Sequence, residues 1–201
     1  QNISNCWGCE EDGVVELWGN CYSIEYTTKL DLSNSGLTGS IPTEIGGLTN
    51  LEILHLHENQ LTGDIPSEIW NLTNLNSLNL SYNSLTGSIP LEIGYLTNLK
   101  YLDLSYNSLT GSIPLEVGNL TNIYKLKLNN NLLSGIIPEI ICELELRWYQ
   151  EEMIDLFEQP VSSVRNNALC PTYPSCLVGN YTSPFGELLP IVGDQNTSNC
   201  N

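Results

Sequence analysis

Apolar and polar positions recur with a period of 24 residues from Thr27 to Leu144, with breaks after Asn50, Asn74, Asn98 and Asn122. The third unit reads LNSLNLSYNSLTGSIPLEIGYLTN and the fourth LKYLDLSYNSLTGSIPLEVGNLTN. Within each unit a short L-x-L stretch alternates inward and outward positions, the period of a strand with one buried face. Leu54 and Leu56, Leu78 and Leu80, and Leu102 and Leu104 are inward pairs. No single unit can bury its own leucines, so stability must arise between neighbours, and a fixed period of this length predicts a solenoid.

Three residues after each pair stands Asn59, Asn83, Asn107 or Asn131, with Ser35 in the first unit. A covered amide both donates and accepts, so a file of asparagines could pair the backbone of adjacent coils. The second half of the unit, L-T-G-x-I-P, carries a glycine for the turn and a proline that stops a helix, Gly87 and Pro90 in the third unit.

The consensus L-x-x-L-x-L-x-x-N-x-L-T-G-x-I-P-x-E-I-G-x-L-T-N resembles the plant-type extracellular leucine-rich repeat of polygalacturonase-inhibiting proteins and receptor-kinase ectodomains. The flanks LWGNCYSIEYTTKLDLSNSGLTG, NNALCPTYPSC and VGDQNTSNC look more like secreted leucine-rich repeat proteins of aquatic microbes. The resemblance implies a right-handed coil with a parallel sheet on its concave face, short 3-10 or irregular turns on its convex face, and cysteine-stapled caps. The expected organisation is a cysteine-containing cap over 1–26, five repeats over 27–144, and a C-terminal cap over 145–201. It also implies a non-catalytic protein that binds a protein or glycan outside the cell.

Composition changes this picture in a few places. No apolar run approaches the roughly 18–20 residues that span a bilayer, and the polar opening at Gln1 is what a secreted chain shows after leader cleavage. Seven cysteines gather at the ends, Cys6, Cys9 and Cys21 before the repeats and Cys142, Cys170, Cys176 and Cys200 at or after their close, as expected of caps stapled in an oxidising compartment. The pairing expected is Cys9 with Cys21, Cys142 with Cys170, and Cys176 with Cys200, leaving Cys6 free or joined to another chain. Zinc is the other reading of C-x-x-C at Cys6 and Cys9, disfavoured because no second such pair accompanies it. The formal charge of −17, from 23 acids against 6 Lys and Arg, excludes a nucleic-acid binder, which needs a basic stripe, and suits solubility.

Candidate chemistry falls on two walls. Glu44, Glu68, Glu92 and Glu116 share one column, which would put like charges about 4.8 Å apart; calcium could bridge them, but the same Glu recurs in the plant-type pattern without implying metal, and no cofactor is expected. Outward strand positions form three columns: Lys29, Ile53, Ser77, Tyr101 and Lys125; Asp31, His55, Asn79, Asp103 and Lys127; Ser33, His57, Ser81, Ser105 and Asn129. From these, Lys29, Asp31, Ile53, His55, His57, Asn79, Tyr101, Asp103, Lys125 and Lys127 are the expected binding residues. His55 and His57 with Asp31 make a metal-ligand set only on paper, and Asp31, His55 and Ser81 could be drawn as a triad. An open sheet offers no enclosed pocket or oxyanion hole, so no enzyme is expected. Six N-x-S/T sequons occur, at Asn2, Asn71, Asn79, Asn119, Asn180 and Asn196.

Past the last full coil, Leu146, Tyr149, Met153 and Leu156 at helical spacing, ending at Pro160, predict a short amphipathic capping helix. Val164, Asn167 and Leu169 match a degenerate sixth coil. Leu188, Leu189, Ile191 and Val192 form an apolar run that either lies over its own cap or covers a neighbouring molecule. Two functions from different classes follow: an extracellular recognition module with self-association, or a structural subunit assembled head to tail through its caps into a filament or surface layer.

Overall fold

The structure, a computed structural model, describes residues 12–146, 164, 167–171, 173–174, 177, 180–182, 188–190 and 200. Its strands in chain order are β1 (Val14–Leu17), β2 (Asn20–Ser23), β3 (Lys29–Asp31), β4 (Thr38–Gly39), β5 (Ile53–His55), β6 (Gln60–Asp64) and β7 (Ser77–Asn79). Then come β8 (Ser84–Thr86), β9 (Tyr101–Asp103), β10 (Lys125–Lys127), β11 (Ser134–Ile136), β12 (Ala168–Cys170), β13 (Asn180–Thr182) and β14 (Leu188–Pro190).

The L-x-L stretches lie side by side in one parallel sheet of order β10-β9-β7-β5-β3. Leu30, Leu54, Leu78, Leu102 and Leu126 stand opposite one another across it, so the register advances one repeat per strand. The β1–β2 antiparallel hairpin precedes the stack. The L-T-G segments build a second parallel sheet, β4-β6-β8, and β11 pairs with β12 in the same sense.

The third wall consists of five short 3-10 helices, Thr43–Gly47, Ser67–Asn71, Leu91–Tyr95, Leu115–Asn119 and Glu139–Glu143. Each begins after a proline in extended conformation, whose fixed φ and missing donor suit that place. Each drops one buried aliphatic residue inward: Ile45, Ile69, Ile93, Val117 and Ile141. The leucines between the walls are almost wholly removed from water and form one continuous core.

Two files of asparagine stitch the coils. Asn107 donates from Nδ2 to the carbonyls of Leu80, Leu104 and Ser105 at 3.0, 3.2 and 3.3 Å, and its Oδ1 accepts from the Leu85 amide at 3.0 Å. Asn59, Asn83 and Asn131 repeat the pattern. Asn167 continues it, donating to Leu128 and Val164 and accepting from Leu133, so the sixth coil is stacked despite its divergent letters. The second file, Asn74, Asn98 and Asn122, donates to Thr49, Thr73 and Thr97 of the coil before.

The expected disulfide pairing is corrected. Cys170 bonds Cys200, with an S–S distance of 2.06 Å, which excludes both the Cys142–Cys170 and the Cys176–Cys200 assignments. Cys170 lies on β12 opposite Ile136, whereas Cys142 lies past β11 on the helical wall, a separation that spacing along the chain does not reveal. Cys142 and Cys21 are each disulfide-bonded; Cys6, Cys9 and Cys176 lie outside the described residues. Leu146 packs against the core in non-helical conformation, and Tyr149, Met153 and Leu156 of the expected helix lie outside the described residues.

Candidate functional site, the face of the five-stranded sheet

Strand alternation puts the first two columns on the outer face in the register expected. Lys29, Ile53, Ser77, Tyr101 and Lys125 pair in sequence, as do Asp31, His55, Asn79, Asp103 and Lys127. The two columns behave differently.

Much of the second column is occupied with the backbone. Asp31 Oδ1 accepts from the Ser33 amide and hydroxyl at 3.4 and 2.8 Å, Asn79 Oδ1 from those of Ser81 at 3.1 and 2.7 Å, and Asp103 Oδ1 from the Ser105 amide at 3.0 Å and its hydroxyl at 2.5 Å. These are Asx-type turns, in which a short acidic or amide side chain bonds the chain two residues on. They draw Asn79 and Asp103 down to 9% and 4% exposure, so the middle of the face is less accessible than alternation alone implies. A glycan on Asn79 would have to leave this covered position, whereas Asn71 and Asn119 are exposed.

Asp103 also organises the cations and the ring beside it. Its Oδ2 accepts from the Tyr101 hydroxyl at 2.9 Å and lies 3.7 Å from Lys127 Nζ, while Lys125 Nζ sits 5.1 Å from the centroid of the Tyr101 ring. Burial first, then the Asp103 charge and its hydrogen bond, raise the Tyr101 hydroxyl far above its ordinary pKa, so it stays a donor. At the other end Lys29 and His55 approach Asp31 at 3.5 and 3.7 Å. The hydrogen bond from the Ser33 hydroxyl is the main reason the Asp31 pKa lies below its ordinary value. His55 goes the other way for a base: burial, only partly offset by Asp31, lowers its pKa and favours the neutral ring.

The paper triad does not assemble. His55 Nε2 is 2.9 Å from Ser77 Oγ, not bonded to Ser81, whose hydroxyl is spent on Asn79. Among the described residues no group of three or more His, Cys, Asp or Glu is arranged to hold a metal ion. Leu188 and Leu189 lie in β14, paired antiparallel with β13; Ile191, Val192, Asn2 and Asn196 lie outside the described residues.

Strand alternation missed two members of the face. Lys100 and Tyr124 are exposed immediately before β9 and β10, at the first of the two positions between the apolar residues of L-x-x-L. That double outward step was the available signal. It completes a pattern: the chain has four lysines, of which Lys29, Lys125 and Lys127 lie on strands of this sheet and Lys100 stands exposed one residue before β9.

The family model for the leucine-rich repeat region matches residues 5–143, and the chain belongs to that family. No curated protein matches the chain. Solved structures do match. One is a plant peptide hormone receptor, RGFR1, in complex with RGF2, at 40% identity and TM-score 0.58 over 66% of this chain and 19% of that one. Another is the BIR3–SERK2 complex from Arabidopsis thaliana, at 33% identity and TM-score 0.60 over 87% and 85% of the two chains. A third is a plant ice-binding protein, at 33% identity and TM-score 0.61 over 72% and 43%. Against RGFR1 and the ice-binding protein, then, this chain spans only 19% and 43% of their length.

Proposed function

We propose that this is a non-catalytic recognition module that binds an extracellular polypeptide along the sheet face, with an acidic segment of the partner held at the end formed by Lys100, Lys125 and Lys127. The carrying observation is charge segregation: a chain of net charge −17 places every lysine on, or one residue before, a strand of this sheet. At physiological salt the Debye length is about 8 Å, so the distant acids are screened and the local potential governs docking. The opposite end carries Asp31 and Glu52 against the single Lys29, so the charge changes along the face and would orient an extended partner.

Fold alone does not choose the ligand, since receptor ectodomains in protein complexes and an ice-binding protein share it at similar identity. The surface for ice would be the exposed file Thr38, Thr62, Thr86 and Thr110. Two of its hydroxyls are spent within the protein, Thr86 on Asp64 at 2.7 Å and Thr110 on the Gly87 carbonyl at 3.1 Å. No helix among the described residues is long and apolar enough to cross a membrane, which agrees with an extracellular site of action.

Amine acetylation with and without a glutamate-rich peptide tests the reading. Protection of Lys100, Lys125 and Lys127 is expected; equal labelling in both conditions would remove it. Self-association, including the head-to-tail filament, is a second reading favoured by the constant register, which lets a coil of another molecule continue the stack. Electron microscopy together with non-reducing and reducing gels decides it, a strict monomer in both gels counting against it.

A further inference from the structure

Tyr82 and Tyr106 hold corresponding places in the third and fourth coils, just past the ends of β7 and β9. Both have φ in the left-handed region, 53° and 54°, and both backbones are fixed by hydrogen bonds to the next coil: Tyr82 N to Ser105 O and Tyr106 N to Asn129 O, each 3.0 Å. Their rings stack with centroids 4.2 Å apart and planes 11° from parallel, while each side chain remains open to solvent, at 50% and 43% exposure. This pair is both close and accessible.

We infer that Tyr82 and Tyr106 form a dityrosine cross-linking site, joined within one molecule by an extracellular peroxidase using hydrogen peroxide. Each phenol gives up one electron and one proton, and the peroxide takes both pairs and leaves as two waters. Phenoxyl spin density lies on the oxygen and on the ring carbons ortho and para to it. The para carbon carries the side chain, so coupling occurs through an ortho carbon, Cε, of each ring. A Cε–Cε bond forms, and the proton on each of these carbons moves to the phenolic oxygen, restoring two aromatic rings with a net loss of two hydrogens.

The stack holds the two rings together before oxidation, which replaces a bimolecular encounter by an intramolecular one. Biaryl formation needs the rings to turn from face-to-face toward edge-to-edge, and their solvent exposure leaves room for that rotation. The Tyr82 hydroxyl also interacts with that of Tyr106: partial burial first, then this hydrogen bond, raises the Tyr82 pKa, so that ring enters the reaction as a neutral phenol. The product is a covalent staple between two coils at the border of the recognition face. Tyr26, more exposed still and remote in sequence, serves as the internal reference for unassisted reactivity.

The test treats the dilute full chain with a plant peroxidase and hydrogen peroxide, isolates the monomer, and reads dityrosine fluorescence and peptide masses after digestion. The expected result is a peptide pair joining Tyr82 to Tyr106 with two hydrogens lost, and loss of monomer fluorescence in both Tyr82→Phe and Tyr106→Phe. Phenylalanine keeps the stack, so these variants fold. A Tyr26→Phe variant should keep the monomer signal. Monomer fluorescence that survives Tyr82→Phe, or a linked peptide lacking either residue, overturns the assignment, as does a Tyr82–Tyr106 pair left intact while Tyr26 is oxidised.

Discussion

A ladder asparagine answers for four backbone groups at once, which makes it the most sensitive residue in a coil. In Asn107→Ala the carbonyls of Leu80, Leu104 and Ser105 and the amide of Leu85 lose their partner. An unsatisfied covered group costs 1–3 kcal/mol, and water reaches some of these, so a loss of about 3 kcal/mol is expected in urea unfolding. At His55 the prediction concerns pH. Burial lowers its pKa below 6.5 in the fold, with the charges of His57 and Lys29 adding to that and Asp31 opposing it. The unfolded chain therefore binds more protons as pH falls through 6.5, and the stability drawn from the neutral ring is present above that value and lost below it. Melting temperature should fall as pH drops from 7 toward 5, and His55→Gln should flatten that slope. Asp31, whose folded pKa is depressed, contributes above its unfolded value of 3.8 and stops doing so in stronger acid.

Among the elements, the 3-10 helices set how closely coils approach. Gly118 faces Ile140 of the next helix, and a Cβ there would come within van der Waals overlap of the Ile140 side chain. Gly118→Ala should destabilise by about 1–3 kcal/mol, measured by thermal melting. The matching position in the second coil holds Trp70, fully buried, where Gly46, Gly94 and Gly118 stand in other coils. Trp70→Ala should cost about 3–5 kcal/mol through the cavity it leaves. Strands, inward leucines, prolines and the ladder were legible in the letters, because each is a local consequence of a repeated pattern. The second asparagine file was not, since Asn74 or Asn98 reads as a turn residue until the coil before it is placed alongside. Cys170–Cys200 was illegible for a similar reason: which wall a cysteine occupies depends on the degenerate last coil. The Asx turns show the limit of alternation, which assigns a side chain to a face without saying that Asn79 and Asp103 bend down to bond the next serine.

For the molecule as a whole, the stacked core explains stability, and under the proposed function the distribution of lysine would set selectivity. Loss of any one coil propagates only through its neighbours, the behaviour of a linear array. Recognition of the proposed kind needs no pocket: the sheet face offers a preorganised row in which Asp103 fixes Tyr101 and Lys127, and Tyr101 supports Lys125. The most direct measurement is fluorescence anisotropy of a labelled glutamate-rich peptide titrated with the native chain and with a Lys100→Gln, Lys125→Gln, Lys127→Gln triple variant. Saturable binding that weakens as salt rises, and is abolished in the variant while its melting temperature is retained, is the predicted result. Equal binding by both proteins, or a preference of the native chain for a lysine-rich peptide, would contradict it.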